Sequence, residues 1–200
     1  MEKAESRDLW ISYLEGTKTR ESSPLLTEAL THVPARESAC DLGAGGLRDT
    51  RKLLSDGFKH VLCVDGHPKV KEYVDKLGAS EISVMISRFQ DMELPLEAFD
   101  IVNAQLSLPF TPPDHFERVF SNVKASLKPG GIFTGNLFGV NDEWNTPEEK
   151  EMTFLTRADV ERILGDMEII KLEEIDDDGT TFHGAKPKHW HAFHIIARKR

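Results

Sequence analysis

Short apolar runs alternate with amphipathic segments along most of the chain. Four of the runs have the length and composition of buried strands: SACDL, HVLCVD, EISVMIS and FDIVNAQL. The segments between them, such as RDTRKLLSDGF and PKVKEYVDKLG, carry apolar residues at helical spacing. Strands that alternate with helices predict a mostly parallel sheet, because right-handed crossovers place helices on both of its faces. The pattern therefore predicts an α/β fold.

The two ends of the chain depart from this alternation. The first part contains LWISYLEG and SPLLTEALTHV, whose apolar spacing predicts two helices. KPGGIFTGNLFG predicts a fifth strand, and TRADVERILGD a helix that begins with a capping-box variant at Thr156 and Asp159. Near the other end, MEIIKLEEI and WHAFHIIARK read as strands joined by the acidic loop DDDGTTFHGAKPKH, so we expect an antiparallel pair. We expect one domain over 1–200, with a helical segment at 1–33 and a core at 34–200.

Charge and composition narrow the classes of partner. The chain has 34 acidic and 25 basic residues and a formal net charge of −9, which disfavours a nucleic-acid partner. No apolar run approaches the roughly 20 residues of a membrane helix, and the start MEKAESRD lacks the core of a secretory signal. We therefore expect no membrane partner and a cytoplasmic location. Cys40 and Cys63 lie inside strand-like runs and read as core residues.

A glycine-rich turn follows the first predicted strand. Gly43 and Gly45 fit a dinucleotide-binding motif, but Arg48 stands where its third glycine belongs, and Asp41 would repel a pyrophosphate. A carboxylate beside closely approaching glycines suits a phosphate-free cation such as S-adenosylmethionine. Asp65 ends the next strand-like run, where a carboxylate binds ribose hydroxyls. An NAD(P)-dependent oxidoreductase of Rossmann type and a non-catalytic binding module remain as alternatives.

Four stretches resemble motifs of the class I (Rossmann-like) S-adenosylmethionine-dependent methyltransferases, in the family's order: DLGAGG, VLCVDGHP, FDIVNAQLSLPF and LKPGGIF. The chain is most similar to a small single-domain branch that includes tellurite-resistance and other small-molecule methyltransferases. The resemblance implies a three-layer sandwich with a mostly parallel seven-stranded sheet whose last strand is antiparallel. It also implies methyl transfer from S-adenosylmethionine to a small-molecule acceptor by direct displacement, and it leaves the oligomeric state open.

The resemblance also implies a set of cofactor contacts. Asp41 would face the methionine ammonium, Asp65 the ribose, and the residues after the fourth strand the methionyl part. The N-terminal segment would act as a lid whose arginine pairs with the cofactor's carboxylate, with a solvated helix-end arginine as the alternative. Members of the family commonly place an aspartate beside the adenine amine. In one alignment Arg88 replaces that aspartate, and in another Asp91 takes its position. The expected cofactor-binding residues are Arg20, Asp41, Gly43, Ala44, Gly45, Asp65, Gly66, Phe89, Gln90, Asp91, Asn103 and Ala104.

Histidines and aromatic residues are the candidates for contact with the acceptor. In HWHAFH, His189 and His191 share one face of a strand that begins at the ligand-binding edge, so we expect a catalytic role as base or substrate contact, with strand packing as the alternative. No acid or cysteine motif completes a metal site around them, and we expect no metal. His194 faces the other way and is expected to be structural. The expected substrate-binding residues, with ordinary packing as their alternative, are Trp10, Tyr13, Phe110, Phe138 and Trp144.

Overall fold

The central feature of the computed structural model, which describes residues 16, 20–181 and 186–200, is a mostly parallel sheet. Its seven main strands lie in the order β3-β2-β1-β4-β5-β8-β7, and only β8 runs antiparallel to its neighbours. A two-residue strand, β6, pairs with β5 in parallel. The strands are β1 (Ser38–Leu42), β2 (His60–Asp65), β3 (Ile82–Ile86), β4 (Phe99–Ala104), β5 (Leu127–Gly139), β6 (Phe154–Leu155), β7 (Met167–Thr180) and β8 (Pro187–Lys199). The predicted fold class is confirmed.

Helices cover both faces of this sheet, which gives the three predicted layers. The helices are α1 (Pro24–Ala29), α2 (Arg48–Ser55), α3 (Lys69–Leu77), α4 (Pro113–Ser126) and α5 (Arg157–Leu164). Apolar residues of α1, α2 and α3 pack in one buried cluster with Ile101, Ile132 and Ile196 of the sheet. Residues of α4 and α5 pack in a second cluster with Phe133 and Phe193. Each face of the sheet therefore has its own core.

The helix starts follow the chemistry that the sequence indicated, with one exception. The capping box of α5 is present, with Thr156 and Asp159 bonded to each other's backbone. Proline opens α1, but the Ser23 hydroxyl does not cap that helix, because it bonds instead to Gln105 of the sheet edge. The predicted helix LWISYLEG lies outside the described residues except for its last residue, Gly16. Among the described helices, none is long and apolar enough to cross a membrane.

The antiparallel pair β7–β8 is longer than the sequence pattern indicated. We expected the acidic stretch from Asp176 onwards to be a loop, but β7 continues to Thr180 and β8 begins at Pro187. The physical reason is local charge pairing, since the carboxylates of Asp176 and Asp178 each lie 2.8 Å from a ring nitrogen of His189 on β8. The extended hairpin carries the beginning of β8 to the edge of the sheet at which β1, β2 and β4 end.

Strands β4 and β5 approach closely enough to test this packing by mutation. A Cβ atom on Gly135 would lie 2.5 Å from the backbone oxygen of Ala104, so Gly135→Ala must displace a strand. We expect a loss of about 1–3 kcal/mol in the free energy of unfolding, measured by urea denaturation. The matched control is Thr134→Val, because the buried Thr134 hydroxyl has no hydrogen-bond partner among the described residues. The control is expected to be neutral or to gain up to about 1 kcal/mol, and an unchanged Gly135→Ala protein would contradict the close approach.

Candidate active site

Asp41 is a buried carboxylate at the carboxyl end of β1. Its side chain accepts a hydrogen bond of 2.6 Å from the Thr50 hydroxyl of α2 and one of 2.8 Å from the Asn103 amide of β4. Burial raises the pKa of Asp41 to about 7, and the nearby charge of Asp49 raises it further, while the bonds from Thr50 and Asn103 oppose the shift. Asp41 is therefore held in place by two elements and sits in a strongly negative environment.

A chain of buried side chains continues from Asp41 to the start of α1. The Asn103 oxygen accepts a bond of 2.9 Å from the Gln105 amide, and the Gln105 oxygen accepts one of 2.9 Å from the Ser23 hydroxyl. The Ser23 backbone amide donates to Asp49 at 2.8 Å. Gln105, Ser23 and Asp49 did not stand out in the sequence, because nothing local marks a glutamine or serine whose partners are 26 and 82 residues away.

The glycine turn lies between Asp41 and α2. Gly43 and Gly45 have φ angles of +74° and +52°, in the left-handed region that favours glycine. A Cβ on Gly43 would lie 2.4 Å from the Cβ of Ser107, so a side chain does not fit there. The turn exposes backbone at a crevice whose lining residues are Asp41, Gly43, Ala44, Gly45, Gly46, Arg48, Asp49 and Gln105.

Leu47 shows how the turn departs from the glycine-rich pattern. It has a φ of +63° immediately before α2, a conformation that is costly for a residue other than glycine. Its side chain is buried in the cluster beneath α1, α2 and α3, which offsets that cost. Arg48, the residue that breaks the dinucleotide-binding motif, follows and lies in the wall of the crevice, with its guanidinium 3.3 Å from the Asp49 carboxylate.

Asp65 brings a second carboxylate to the same turn. Its oxygens accept bonds of 2.9 Å from the backbone amide of Gly45 and 2.8 Å from that of His67. Burial raises the pKa of Asp65, and the two amide bonds partly oppose the shift. The carboxylates of Asp41, Asp49 and Asp65 thus surround one glycine turn. This donor set fits a phosphate-free cation and does not fit a pyrophosphate.

The other predicted cofactor contacts lie along the ends of the neighbouring strands. Phe89–Asp91 forms a single 3₁₀ turn after β3, in which Phe89 packs partly against the core and Asp91 is exposed. Gly66 directly follows Asp65 and is exposed, and Arg20 is exposed four residues before α1. Asn103 and Ala104 are both fully buried. Because the Asn103 amide is engaged by Asp41 and Gln105, its observed contact is with the Asp41 network.

A larger cleft adjoins the glycine turn on the face covered by α1 and α2. We call it the acceptor cleft, for the role that we propose for it; it has a volume of about 380 Å³. Arg48 and Gln105 line both the glycine-turn crevice and this cleft, so the two spaces meet at those side chains. Its lining residues are Ser23, Pro24, Leu25, Glu28, Arg48, Gln105, Leu106, Asn136, Lys171, Glu173 and His194. The histidine in this lining is His194, which was expected from the sequence to be structural.

His189 and His191 lie on the opposite face of β8 from His194. The His191 ring is 3% exposed and packs over Gly139, where a Cβ would lie 2.2 Å from Nδ1. Its Nδ1 accepts a bond of 2.9 Å from the backbone N–H of Asn141, and its Nε2 lies 3.0 Å from a Glu174 oxygen. Asp178 and Asp176 bond both nitrogens of His189 and raise its pKa.

These contacts favour the strand-packing alternative for His189 and His191 over a role in the ligand pocket. Both rings have their nitrogens engaged, and neither belongs to the lining of the crevice or the acceptor cleft. The strand β8 begins at the ligand-binding edge, and His194, rather than His189 or His191, lies on the face that lines the cleft. Which face of β8 points to the cleft depends on its pairing with β5, where His194 stands opposite Asn136.

The predicted aromatic residues do come together, but around a lysine of the protein itself. Phe110, Phe138 and Trp144 lie within 6.4 Å of one another by ring centroid, and Trp190 joins them. The ammonium of Lys188 lies 3.8 Å from the Trp190 ring centroid and 4.3 Å from that of Trp144. This cation–π site is therefore filled internally. Trp10 and Tyr13 lie outside the described residues.

Lys188 is also ion-paired inside this cluster. Its ammonium lies 2.5 Å from Asp142, and both side chains are almost fully buried. Asp142 further accepts bonds from the backbone amides of Trp144 and His191. Burial lowers the pKa of Lys188, while the hydrogen bond that its ammonium donates to Asp142 opposes that shift. The cluster abuts the acceptor cleft through Leu106, which packs against it and has a left-handed φ of +50°.

The chain is similar to known methyltransferases both in a domain match and in its fold. Residues 40–134 match a family model described as a methyltransferase domain. TehB from Haemophilus influenzae is similar in structure, with a TM-score of 0.74 at 17% identity over 90% of this chain and 63% of that one. A 1,6-didemethyltoxoflavin-N1-methyltransferase of Burkholderia thailandensis, solved with S-adenosylhomocysteine, has a TM-score of 0.68 at 18% identity, over 98% of this chain and 83% of its own.

A third similar structure is the protein solved in complex with the Trm112 methyltransferase activator of Haloferax volcanii. It has a TM-score of 0.73 at 19% identity, over 96% of this chain and 94% of its own length. No curated protein matches the chain in sequence. Residues 40–134 thus match a methyltransferase domain, and the strand order is that of the class I methyltransferase fold. The domain match and the acidic lining of the glycine turn favour S-adenosylmethionine over the nicotinamide cofactor of the oxidoreductase alternative.

The raised pKa of Asp41 predicts a specific pH dependence of stability. Because the folded pKa of about 7 exceeds the ordinary value of 3.8, the folded protein binds a proton that the unfolded chain releases between those values. This group's contribution to stability is therefore present below about pH 4 and is lost as the pH rises to about 7, by up to about 4 kcal/mol. We expect the difference in unfolding free energy between wild type and Asp41→Asn to change in that window. A difference independent of pH would contradict the raised pKa.

Breaking the buried pair of Lys188 and Asp142 should cost far more than breaking a surface pair. Asp142→Asn leaves a buried ammonium without its counter-charge, and we expect a loss of about 3–5 kcal/mol in unfolding free energy by urea denaturation. The matched control is Asp166→Asn, which removes the exposed partner of Lys124 and is expected to cost at most about 1 kcal/mol. Equal losses in the two variants would show that the Lys188 pair is not desolvated.

Proposed function

We propose that the enzyme transfers the methyl group of S-adenosylmethionine to a small molecule held in the acceptor cleft. The observation that carries this proposal is the continuity of two spaces: Gln105 and Arg48 line both the glycine-turn crevice and the cleft. When bound, S-adenosylmethionine supplies an electrophilic methyl group on a sulfonium. The chain's own part is to orient the two partners, and orientation alone can contribute roughly 7–11 kcal/mol to such a reaction.

We assign each part of the cofactor to a different group of the predicted residues. We assign the ribose hydroxyls to Asp65, whose two observed hydrogen bonds leave acceptor capacity on the carboxylate. Gly43, Ala44 and Gly45 provide backbone close to the methionyl part, and Asp41 contributes negative charge toward the ammonium. We assign the adenine to the turn Phe89–Asp91 and Gly66. Arg20 is assigned to the cofactor's carboxylate.

The lining of the acceptor cleft supports a small and largely uncharged acceptor. Apolar surface comes from Leu25 and Leu106, and hydrogen-bonding groups from Gln105, Asn136 and His194. The charged residues of the lining offset one another, since the ammonium of Lys171 lies 2.7 Å from Glu28 and 3.4 Å from Glu173. The toxoflavin-type substrate of the Burkholderia thailandensis neighbour is an acceptor of this kind. A chain with a net charge of −9 offers little to a nucleic-acid backbone.

Calorimetry with S-adenosylmethionine and S-adenosylhomocysteine tests the proposal, followed by a screen of small acceptors for release of S-adenosylhomocysteine. Binding of both compounds together with turnover of a small molecule is the expected outcome. Binding without turnover of any small or macromolecular acceptor would favour the non-catalytic binding module. Absence of binding by either compound would overturn the assignment of the crevice.

Asp65→Asn is the sharpest single test of the cofactor site. It keeps the size of the side chain but removes the charge that strengthens bonds to ribose hydroxyls, so we expect S-adenosylhomocysteine to bind about 10–150-fold more weakly, or roughly 1.5–3 kcal/mol. Isothermal titration calorimetry measures this directly. Asp75→Asn is the control, because Asp75 is an exposed aspartate of α3 paired only with Lys71 among the described residues. An unchanged dissociation constant in folded Asp65→Asn protein would remove Asp65 from the site.

A further inference from the structure

Building on the proposed function, we propose that His194 is the side chain that accepts the acceptor's proton during methyl transfer. This assignment replaces the sequence expectation that His189 or His191 acts as the base and that His194 is structural. The cleft, the strand register and the hydrogen-bond partners of the three histidines each distinguish His194 from the other two.

The position of His194 follows from the pairing of β8 with both of its neighbours. His194 stands opposite Asn136 of β5 and opposite Glu173 of β7, and all three side chains line the acceptor cleft. Side chains alternate between the faces of a strand, so His191 and Phe193 face the α4 and α5 layer. The Phe193 ring is part of that core, and its centroid lies 5.2 Å from the centroid of the His191 ring. His194 therefore shares its cleft with Gln105 and Arg48 at the junction with the cofactor crevice.

The ring nitrogens of His194 are available for a ligand. Within the described part of the chain no hydrogen bond reaches either nitrogen, in contrast to the fully engaged rings of His189 and His191. Burial lowers the pKa of His194, the charge of Glu173 opposes the shift and that of Lys171 adds to it. Glu28 of α1 and Arg48 of α2 are the other charged groups that line the same cleft. The lowered pKa of His194 favours the neutral imidazole, which can accept a proton, whereas hydrogen bonds to Asp178 and Asp176 raise the pKa of His189 and favour its protonated form.

The proposed step balances without a further reactant. The acceptor's oxygen or ring nitrogen forms a bond to the methyl carbon, and the carbon–sulfur bond breaks with its electron pair remaining on sulfur. The proton on the attacking atom passes to a ring nitrogen of His194, which then releases it to solvent. The acceptor class is therefore a small molecule with an ionisable O–H or N–H, such as a phenol or a heteroaromatic N–H compound. A thiol or metalloid anion that is already deprotonated would not need this residue.

Nuclear magnetic resonance of the histidine rings tests the assignment without an acceptor. The protein has eight histidines, and the ring signal missing from His194→Gln identifies His194. We expect this signal to titrate below the ordinary value of about 6.5, and that of His189 to titrate above it. Adding S-adenosylhomocysteine should shift the His194 signal more than the signals of His189 and His191. A His194 signal that titrates normally and ignores a bound S-adenosylhomocysteine would overturn the assignment.

Turnover provides the second readout, using a panel of phenols and heteroaromatic N–H compounds. We expect His194→Gln to lower kcat by about 10²–10⁴-fold, while the dissociation constant of S-adenosylhomocysteine stays within about twofold. The acid limb of the wild-type profile of kcat/KM against pH should match the titration of the His194 signal and be absent from the variant. His189→Gln is the matched control and should retain wild-type turnover. A kcat for His194→Gln within threefold of wild type would overturn the proposal.

The two proposals fail in different ways. If calorimetry detects no binding of S-adenosylhomocysteine and no histidine signal responds to it, the proposed function is wrong, and the role of His194 is wrong with it. If S-adenosylhomocysteine binds and Asp65→Asn weakens it, but His194 is silent in both readouts, only the assignment of His194 is wrong.

Discussion

The burial of one carboxylate, that of Asp41, constrains the whole ligand-binding edge. A charge removed from water is costly unless donors are held around it, and here the donors come from Thr50 on α2 and Asn103 on β4. Gln105 and Ser23 extend the same network to α1. Four elements must therefore adopt one relative arrangement to satisfy a single side chain. This arrangement also fixes the position of the glycine turn next to Asp41, and the turn forms part of the wall of the cofactor crevice.

The two faces of the sheet have different roles: one is packed into the core, and the other lines the acceptor cleft. On the face of α4 and α5, the side chains of β8 are committed to packing and internal hydrogen bonds, with His191 wedged over Gly139. On the face of α1 and α2, the same strand contributes His194 to the acceptor cleft. The aromatic cluster around Lys188 packs behind Leu106, so that a rigid, internally neutralised unit supports the far wall of the cleft. On β8, His194 in the cleft and Phe193 in the opposite core are thus separated by one residue step.

Local patterns in the sequence were sufficient for the strands, the glycine turn and the positions of the two acids at the carboxyl ends of β1 and β2, because each of these depends on neighbouring residues. They were insufficient wherever a long-range pairing decides the outcome. The face on which His189 and His191 lie depends on the register of β8 against β5, and a shift of one residue would exchange them with His194. Gln105 acquires its role only when α1 packs over β4. Likewise, Phe110, Phe138 and Trp144 do lie together, but the buried cation among them is Lys188, which the sequence pattern placed in the loop DDDGTTFHGAKPKH.

The charge distribution separates what binds the cofactor from what drives the reaction. Asp41, Asp49 and Asp65 gather negative potential at the crevice, and this favours a sulfonium most while its positive charge is intact. During transfer that charge spreads toward the acceptor, so the same carboxylates stabilise the bound reactant at least as well as the transition state. An interaction that is equal in both states cannot accelerate the chemical step. If the proposed function holds, acceleration must therefore arise in the acceptor cleft. One source is the orientation of the acceptor beside Gln105 at the sheet edge, and the other is removal of the proton that the attacking atom carries.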